Sequence, residues 1–286
     1  MSYIDSEKII AATERPMARY LESMKGDLED WMPLEHAAQM LLAGTAFNET
    51  DFAADFRPII AMMRLILEKS ASGGWNWADP DVQKVFCDVA SGAVYMMYAD
   101  VLVDMVIEIL KAAPIRTVVE VGAGSGFVTG RLCPALLAAG FGDVRLVITD
   151  MLESIHPVAD SFRSRFPGLS IDACRWNIQT GPPQELQAML AAPVFVFERF
   201  CLPYAGCGAI GNLAAISDVL LLVDDLSLSG RKASFDHIYG RIGTQFLVLE
   251  EAFRHLAACF SRTHTCDSAV IEKIHSPVST FTLAIK

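Results

Sequence analysis

Apolar residues recur at intervals of three and four through the first third of the chain, then give way at Ile115 to short β-branched runs separated by helical stretches. The first spacing lines apolar side chains along one stripe of a helix, and the second is the pattern of strands in βα units. Ile59, Ile60, Met62, Met63, Leu65, Ile66 and Leu67 predict a helix over 58–70, stopped by Gly73-Gly74. Asp79 is placed to cap a helix that opens on Pro80 and carries Val82, Val85, Phe86 and Val89. A long helix should continue towards Lys111 with a bend at Ser91-Gly92. On it Asp100, Asp104 and Glu108 recur every four residues, an acidic stripe that reads either as a solvated face or as a surface for a cationic group.

Beyond Ile115 the apolar runs predict strands at 117–121, 144–149, 170–175, 194–197, 219–223, 269–274 and 280–285. Strands alternating with helices lie parallel, because only a crossover helix returns the chain to the same end of a sheet. The expected fold is therefore α/β: a doubly wound, seven-stranded, mostly parallel sheet of Rossmann-like type. Residues 1–114 should form a helical lid subdomain and residues 115–286 the α/β domain.

At 286 residues, 52% of them apolar, the chain can bury a large core. A formal charge of -11 without a local Lys/Arg cluster would repel a phosphate backbone, which argues against a nucleic-acid partner. The apolar stretch 93–110 is interrupted by the three carboxylates of the acidic stripe, so no membrane span is expected. Carboxylates in the opening MSYIDSEKIIAATERP stand where a secretory leader would place basic residues. Seven cysteines without C-x-x-C spacing read as free thiols in a reducing cytoplasm, and no metal site is expected.

The chemistry concentrates after the first predicted strand, in Glu120-Val121-Gly122-Ala123-Gly124-Ser125-Gly126. Glycines let the backbone turn sharply and let a ligand approach the amides of the following helix without a Cβ in the way. Asp150 closes the next strand in LVITD, where a carboxylate can accept both hydroxyls of a ribose, a need shared by nicotinamide and S-adenosylmethionine (SAM) sites. The dinucleotide fingerprint G-x-G-x-x-G expects glycine where Phe127 stands, which disfavours the nicotinamide reading.

The run EVGAGSG resembles the first motif of class I SAM-dependent methyltransferases, and with ITDMLESIHPVADSFRSRFP and RWNIQTGPP it is similar to the C-methyltransferase domains of polyketide synthases. The resemblance implies SAM as cofactor. Gly122, Gly124 and Gly126, with Glu120 at the acidic position before them, would then line its methionine part. Asp150 would hold the ribose, and Met151 would pack on the adenine. Asn177, followed by Ile178, stands where the family usually has an aspartate facing the adenine amine; its amide oxygen can still accept there, or it serves as a turn residue.

Past the fourth strand the chain departs from the family: FVFERFCLPYAGCGAIGNLAAISD leaves room for only a short helix before Val219. Glu198 and Arg199 close that strand at the ligand crevice, with side chains on opposite faces, and read either as cofactor-binding or as an ion pair with the lid. Cys201-Leu202-Pro203-Tyr204 resembles a degenerate form of the Asn/Asp-Pro-Pro-aromatic motif of amino methyltransferases, without its polar first residue. Tyr204 can face a sulfonium or simply pack. Asp225, after Asp224, closes strand five at the same rim, and His237 is a candidate base or a plain loop histidine. From the lid, Trp75, Trp77, Tyr95 and Tyr98 either line the pocket or fill the helical core.

A sulfonium carries three activated carbons, so the cofactor leaves several chemistries open. The leading expectation is methyl transfer to a small molecule of secondary metabolism, by alignment in a dry pocket. The alternative is transfer of the aminocarboxypropyl arm, including cyclisation to azetidine-2-carboxylate with release of methylthioadenosine. A SAM-binding protein without catalysis is the third.

Overall fold

Five helices precede the first strand: α1 (Ser6–Ser23), α2 (Met32–Leu42), α3 (Arg57–Ala71), α4 (Pro80–Ala90) and α5 (Ala93–Ala112). The computed structural model describes residues 4–23, 32–225, 234–243, 249–265 and 279–286. After them the chain alternates: β1 (Thr117–Val121), α6 (Phe127–Ala138), β2 (Arg145–Asp150), α7 (Ile155–Arg165), β3 (Ser170–Arg175), α8 (Gln184–Met189) and β4 (Val194–Arg199). Two short helices, α9 (Leu202–Ala205) and α10 (Ala209–Ile216), lead to β5 (Val219–Asp225), followed by α11 (Ser234–Tyr239), α12 (Leu249–Cys259), β6 (Arg262–Thr265) and β7 (Ser279–Ile285).

The seven strands form one sheet in the order β3-β2-β1-β4-β5-β7-β6. β1 to β5 are parallel, and β7 runs antiparallel between β5 and β6. Every residue of β1 is buried, as expected of a central strand covered on both faces. Val121 lies opposite Thr149 on β2 and Glu198 on β4, so three strands end at one rim. The strand order reverses at β1 and β4, and that is where an open α/β sheet leaves a crevice.

Packing divides the chain differently from a cut at residue 114. The apolar stripes of α1 and α5 join α6 and α7 on one sheet face, around Val118, Leu146, Phe195 and Leu221. The other face packs Val119, Val147, Val196 and Leu220 against Leu186 of α8, Leu213 of α10 and Leu256 of α12. A separate lid core gathers α2, α3 and α4, together with Ile238 and Tyr239 of α11. The reason is helix polarity: α5 is apolar on more than one side, burying Leu102, Met105, Val106 and Ile109, so it needs a sheet and not a small bundle.

The acidic stripe of α5 is spent on ion pairs. Asp104 meets Arg19 of α1 at 2.7 Å, Asp100 meets Arg131 of α6, and Glu108 meets Lys111 at 2.8 Å. Such half-exposed pairs contribute at most about 1 kcal/mol each, and here they orient α5 between its neighbours.

Local signals behave as the sequence suggests around α3 and α4. The Asp79 carboxylate accepts from Asp81 N at 2.9 Å and pairs with Lys69 at 2.6 Å, which fixes the turn between the two helices. The bend expected at Ser91-Gly92 is a full break, with Gly92 extended before α5. The strand expected at 269–274 lies outside the described residues. β6 instead is Arg-Thr-His-Thr at the sheet edge, where a strand faces water and carries no apolar alternation to betray it. No described helix is long and apolar enough to cross a membrane.

Candidate functional site

The turn leaving β1 runs through left-handed backbone. Gly122 sits at φ +69°, and a Cβ there would fall 2.2 Å from Cys201 Sγ. Absence of that Cβ lets the turn after β4 close against the turn after β1. The Asp150 carboxylate then ties two loops together: Oδ2 accepts from Gly124 N at 3.0 Å and Oδ1 from Leu152 N at 2.9 Å. Each oxygen keeps a further lone pair for a ligand.

Above this turn lies a cleft with two connected lobes. The outer lobe, about 360 Å³, is floored by Asp150, Met151, Asn177 and Ile178 and walled by Tyr204. The inner lobe, about 90 Å³, reaches past Glu120 and Ser125 to Phe127, under Met62, Val89 and Tyr239. Gly122, Gly124, Arg199 and Tyr204 border both. Lid and sheet domain meet across the cleft where the Trp77 ring stands edge-on to Tyr204, centroids 4.9 Å apart. Trp77 is itself braced by Trp75 and Phe86, and its carbonyl accepts from Gln83 Nε2.

Two ionisable groups define the inner lobe. Glu120 is 3% exposed, and Thr129 Oγ1 donates to its Oε2 at 2.6 Å. Burial pushes its carboxyl up to about 7, against the downward pull of the Thr129 bonds and the Arg199 guanidinium. Arg199 lies over the rings of Phe127 and Phe200, 5.9 and 5.5 Å from their centroids. Phe200 holds a positive φ of 58°, a strained conformation for a side chain of that size, in the turn that carries Arg199 into the cleft.

The outer lobe joins apolar surface to a few directed polar groups, the composition expected of a small-molecule site. Met151 is 46% exposed at its floor, a large apolar side chain without cover. Asn177 lines the lobe, and its Oδ1 accepts from Gln179 N at 3.0 Å in a local turn. Trp176, buried behind it, donates its indole N–H to Thr180 O. Among the described residues no His, Cys, Asp or Glu cluster could hold a metal ion.

Of the residues singled out from sequence, the cleft gathers Glu120, Gly122, Gly124, Asp150, Met151, Asn177, Ile178, Arg199 and Tyr204. Gly126 does not border it: its missing Cβ makes room for Phe162, so its role is to seat α6 on α7. Glu198, fully buried, also turns away from the cleft. Its carboxylate accepts from Cys201 N at 2.9 Å and Val223 N at 3.3 Å, pinning the turn after β4 to β5. His237 is exposed on the outside of α11, which docks on α2 and α3 by its other side. The side chains of Asp225, Tyr95 and Tyr98 lie outside the described residues.

Cys201, Gln179, Phe86 and Tyr239 also line the cleft, although the sequence marked none of them as a site residue. Tyr239 arrives from α11, far along the chain from the rest of the lid, and only tertiary packing brings it there.

No family model matches the chain, and no curated protein does. Solved structures do. The citrinin polyketide synthase CMeT domain is similar with a TM-score of 0.62 at 15% identity, covering 80% of this chain and 65% of that one. The DszA carbon methyltransferase gives 0.61 at 13%, with 80% and 66% covered. The CurJ carbon methyltransferase gives 0.62 at 13%, with 86% and 69% covered. The match therefore spans just under two thirds of the length of the first two. At these identities the likeness is one of fold, and the fold is the Rossmann-like one of carbon methyltransferases.

Proposed function

We propose that this chain is a SAM-dependent transferase that methylates a small molecule under its helical lid. The observation that carries the reading is Asp150: a carboxylate at the end of β2, bonded to the glycine turn of β1, on the floor of a lobe with room for a nucleoside. The cradle fits the group. Asp150 would grip the ribose, Met151 and Ile178 would sandwich the adenine, and Glu120 and Arg199 would face the ammonium and carboxylate of the methionine end.

When bound, SAM supplies an activated methyl group whose leaving group needs no further help. What remains for the protein is alignment and exclusion of water. Tyr204 would offer an aromatic face to a cationic centre, an attraction of about 0.5–2 kcal/mol. The Trp77 to Tyr204 contact bridges the two sides of the outer lobe. Trp77→Ala removes an edge-to-face pair of about 0.5–1.5 kcal/mol, so the dissociation rate of S-adenosylhomocysteine should rise about two- to tenfold in stopped-flow measurements.

Aminocarboxypropyl transfer is the weaker reading: the acidic stripe of α5, which offered a surface for a cationic group, is engaged with Arg19, Arg131 and Lys111, away from the cleft lining. One incubation separates the two. Purified protein with SAM and acceptor extracts should yield S-adenosylhomocysteine by mass spectrometry only when an acceptor is present. Methylthioadenosine formed from SAM alone would overturn methyl transfer.

A further inference from the structure

Glu120 is a buried carboxyl group that borders the inner lobe, and the groups around it offset its charge only in part. Its neighbours come from every side of the strand. From α6, Thr129 supplies a hydroxyl and Cys133 a thiol that burial pushes up to about 12 and therefore keeps neutral. From β4, Arg199 acts across space while its guanidinium rests on two aromatic rings, and from β2, Asp150 opposes it with a like charge. Over the lobe the lid presents Met62, Phe86, Val89 and Ala90, none of them titratable, with Tyr239 of α11 beside them. Among the described residues no lysine or arginine pairs directly with Glu120.

From this placement we infer that the cleft takes up its cofactor in exchange for a proton, which Glu120 carries in the empty protein and releases as a ligand ammonium enters the inner lobe. The inference rests on the cofactor reading above. The proton passes from the Glu120 carboxyl to solvent, no covalent bond changes, and the carboxylate left behind faces the ammonium. The arrangement has a physical use. An empty apolar lobe holding a protonated carboxyl avoids a buried unpaired anion, whereas a preformed anion there would destabilise the folded protein.

The sign of the pH dependence follows. A carboxyl held up to about 7 keeps its proton over the range in which a free glutamate would lose it, so only the minority ionised form binds tightly at low pH. S-adenosylhomocysteine is the probe, because its ammonium stays charged from pH 6 to pH 8. Its affinity should rise about tenfold between pH 6 and pH 8, the ratio of ionised fractions for a midpoint near 7.

Isothermal titration calorimetry at pH 6, in buffers of different ionisation enthalpy, should show about one proton released per ligand. Glu120→Gln should bind with no buffer-dependent heat and a flat pH profile. Thr129→Val removes the hydroxyl that favours the carboxylate, so its affinity should go on rising above pH 8. Binding of the parent protein without proton release would overturn the inference and leave the cofactor reading intact. No binding at any pH by folded protein would overturn the cofactor reading itself.

Discussion

Asp150→Ala is expected to weaken S-adenosylhomocysteine binding at least about 100-fold, because the proposed ribose grip would lose two charge-assisted hydrogen bonds at roughly 1.5–3 kcal/mol each. The same carboxylate also holds Gly124 N and Leu152 N, so the substitution loosens the turn as well as the grip. Asp150→Asn separates the two effects. Its amide oxygen still accepts from one loop amide, while its NH₂ meets the other as donor against donor. A turn effect would leave Asn close to Ala, and a sugar effect would place it between Ala and the parent. Calorimetric titration provides the number, and an alanine variant binding within about threefold of the parent would remove the ribose role from Asp150.

Gly126→Ala should destabilise the fold by about 2–5 kcal/mol without touching the cleft. The left-handed backbone at φ +77° adds roughly 1–2 kcal/mol for any side chain, and overpacking roughly 1–3 more. The added Cβ would sit 2.4 Å from Phe162 Cε2 and 2.9 Å from Val158 Cγ1, two side chains locked in the interface of α6 and α7. Gly140→Ala is the matched control. Its φ is +82° with nothing within 4 Å of the new Cβ, so it should show the backbone effect alone, about 1–2 kcal/mol. Urea denaturation of both variants measures the difference. Equal losses would mean that α6 and α7 part freely and that Gly126 has no packing role.

The two glycine positions show how far composition of a motif can be read. Gly122, Gly124 and Gly126 are equivalent on the page of a sequence, since each permits a turn and each removes a Cβ. In the folded chain Gly122 yields to Cys201 and the cleft, and Gly126 to Phe162 and a helix interface. Spacing alone reports that space is needed, not for whom. Glu198 and Arg199 make the same point. Strand alternation separates their faces, and only the path of the next turn decided that Arg199 borders the cleft while Glu198 braces backbone.

The parallel strands, the glycine turn and Asp150 at the end of β2 were legible because each depends on local periodicity and on residues next to one another in the chain. Apolar runs with β-branched residues have few alternatives to a doubly covered sheet, and a carboxylate closing such a run can only sit at its rim. The lid was not legible in the same way. Whether a helix covers a cleft or completes a sheet depends on the surface it meets, so α1 and α5 went to the sheet although they share the helical half with α2, α3 and α4. Tyr239 joined the lid from beyond β5, and Asp104 and Asp100 of the acidic stripe found their cations on α1 and α6. Burial and partner choice are properties of contacts between remote segments, and these exist only once the chain has closed on itself.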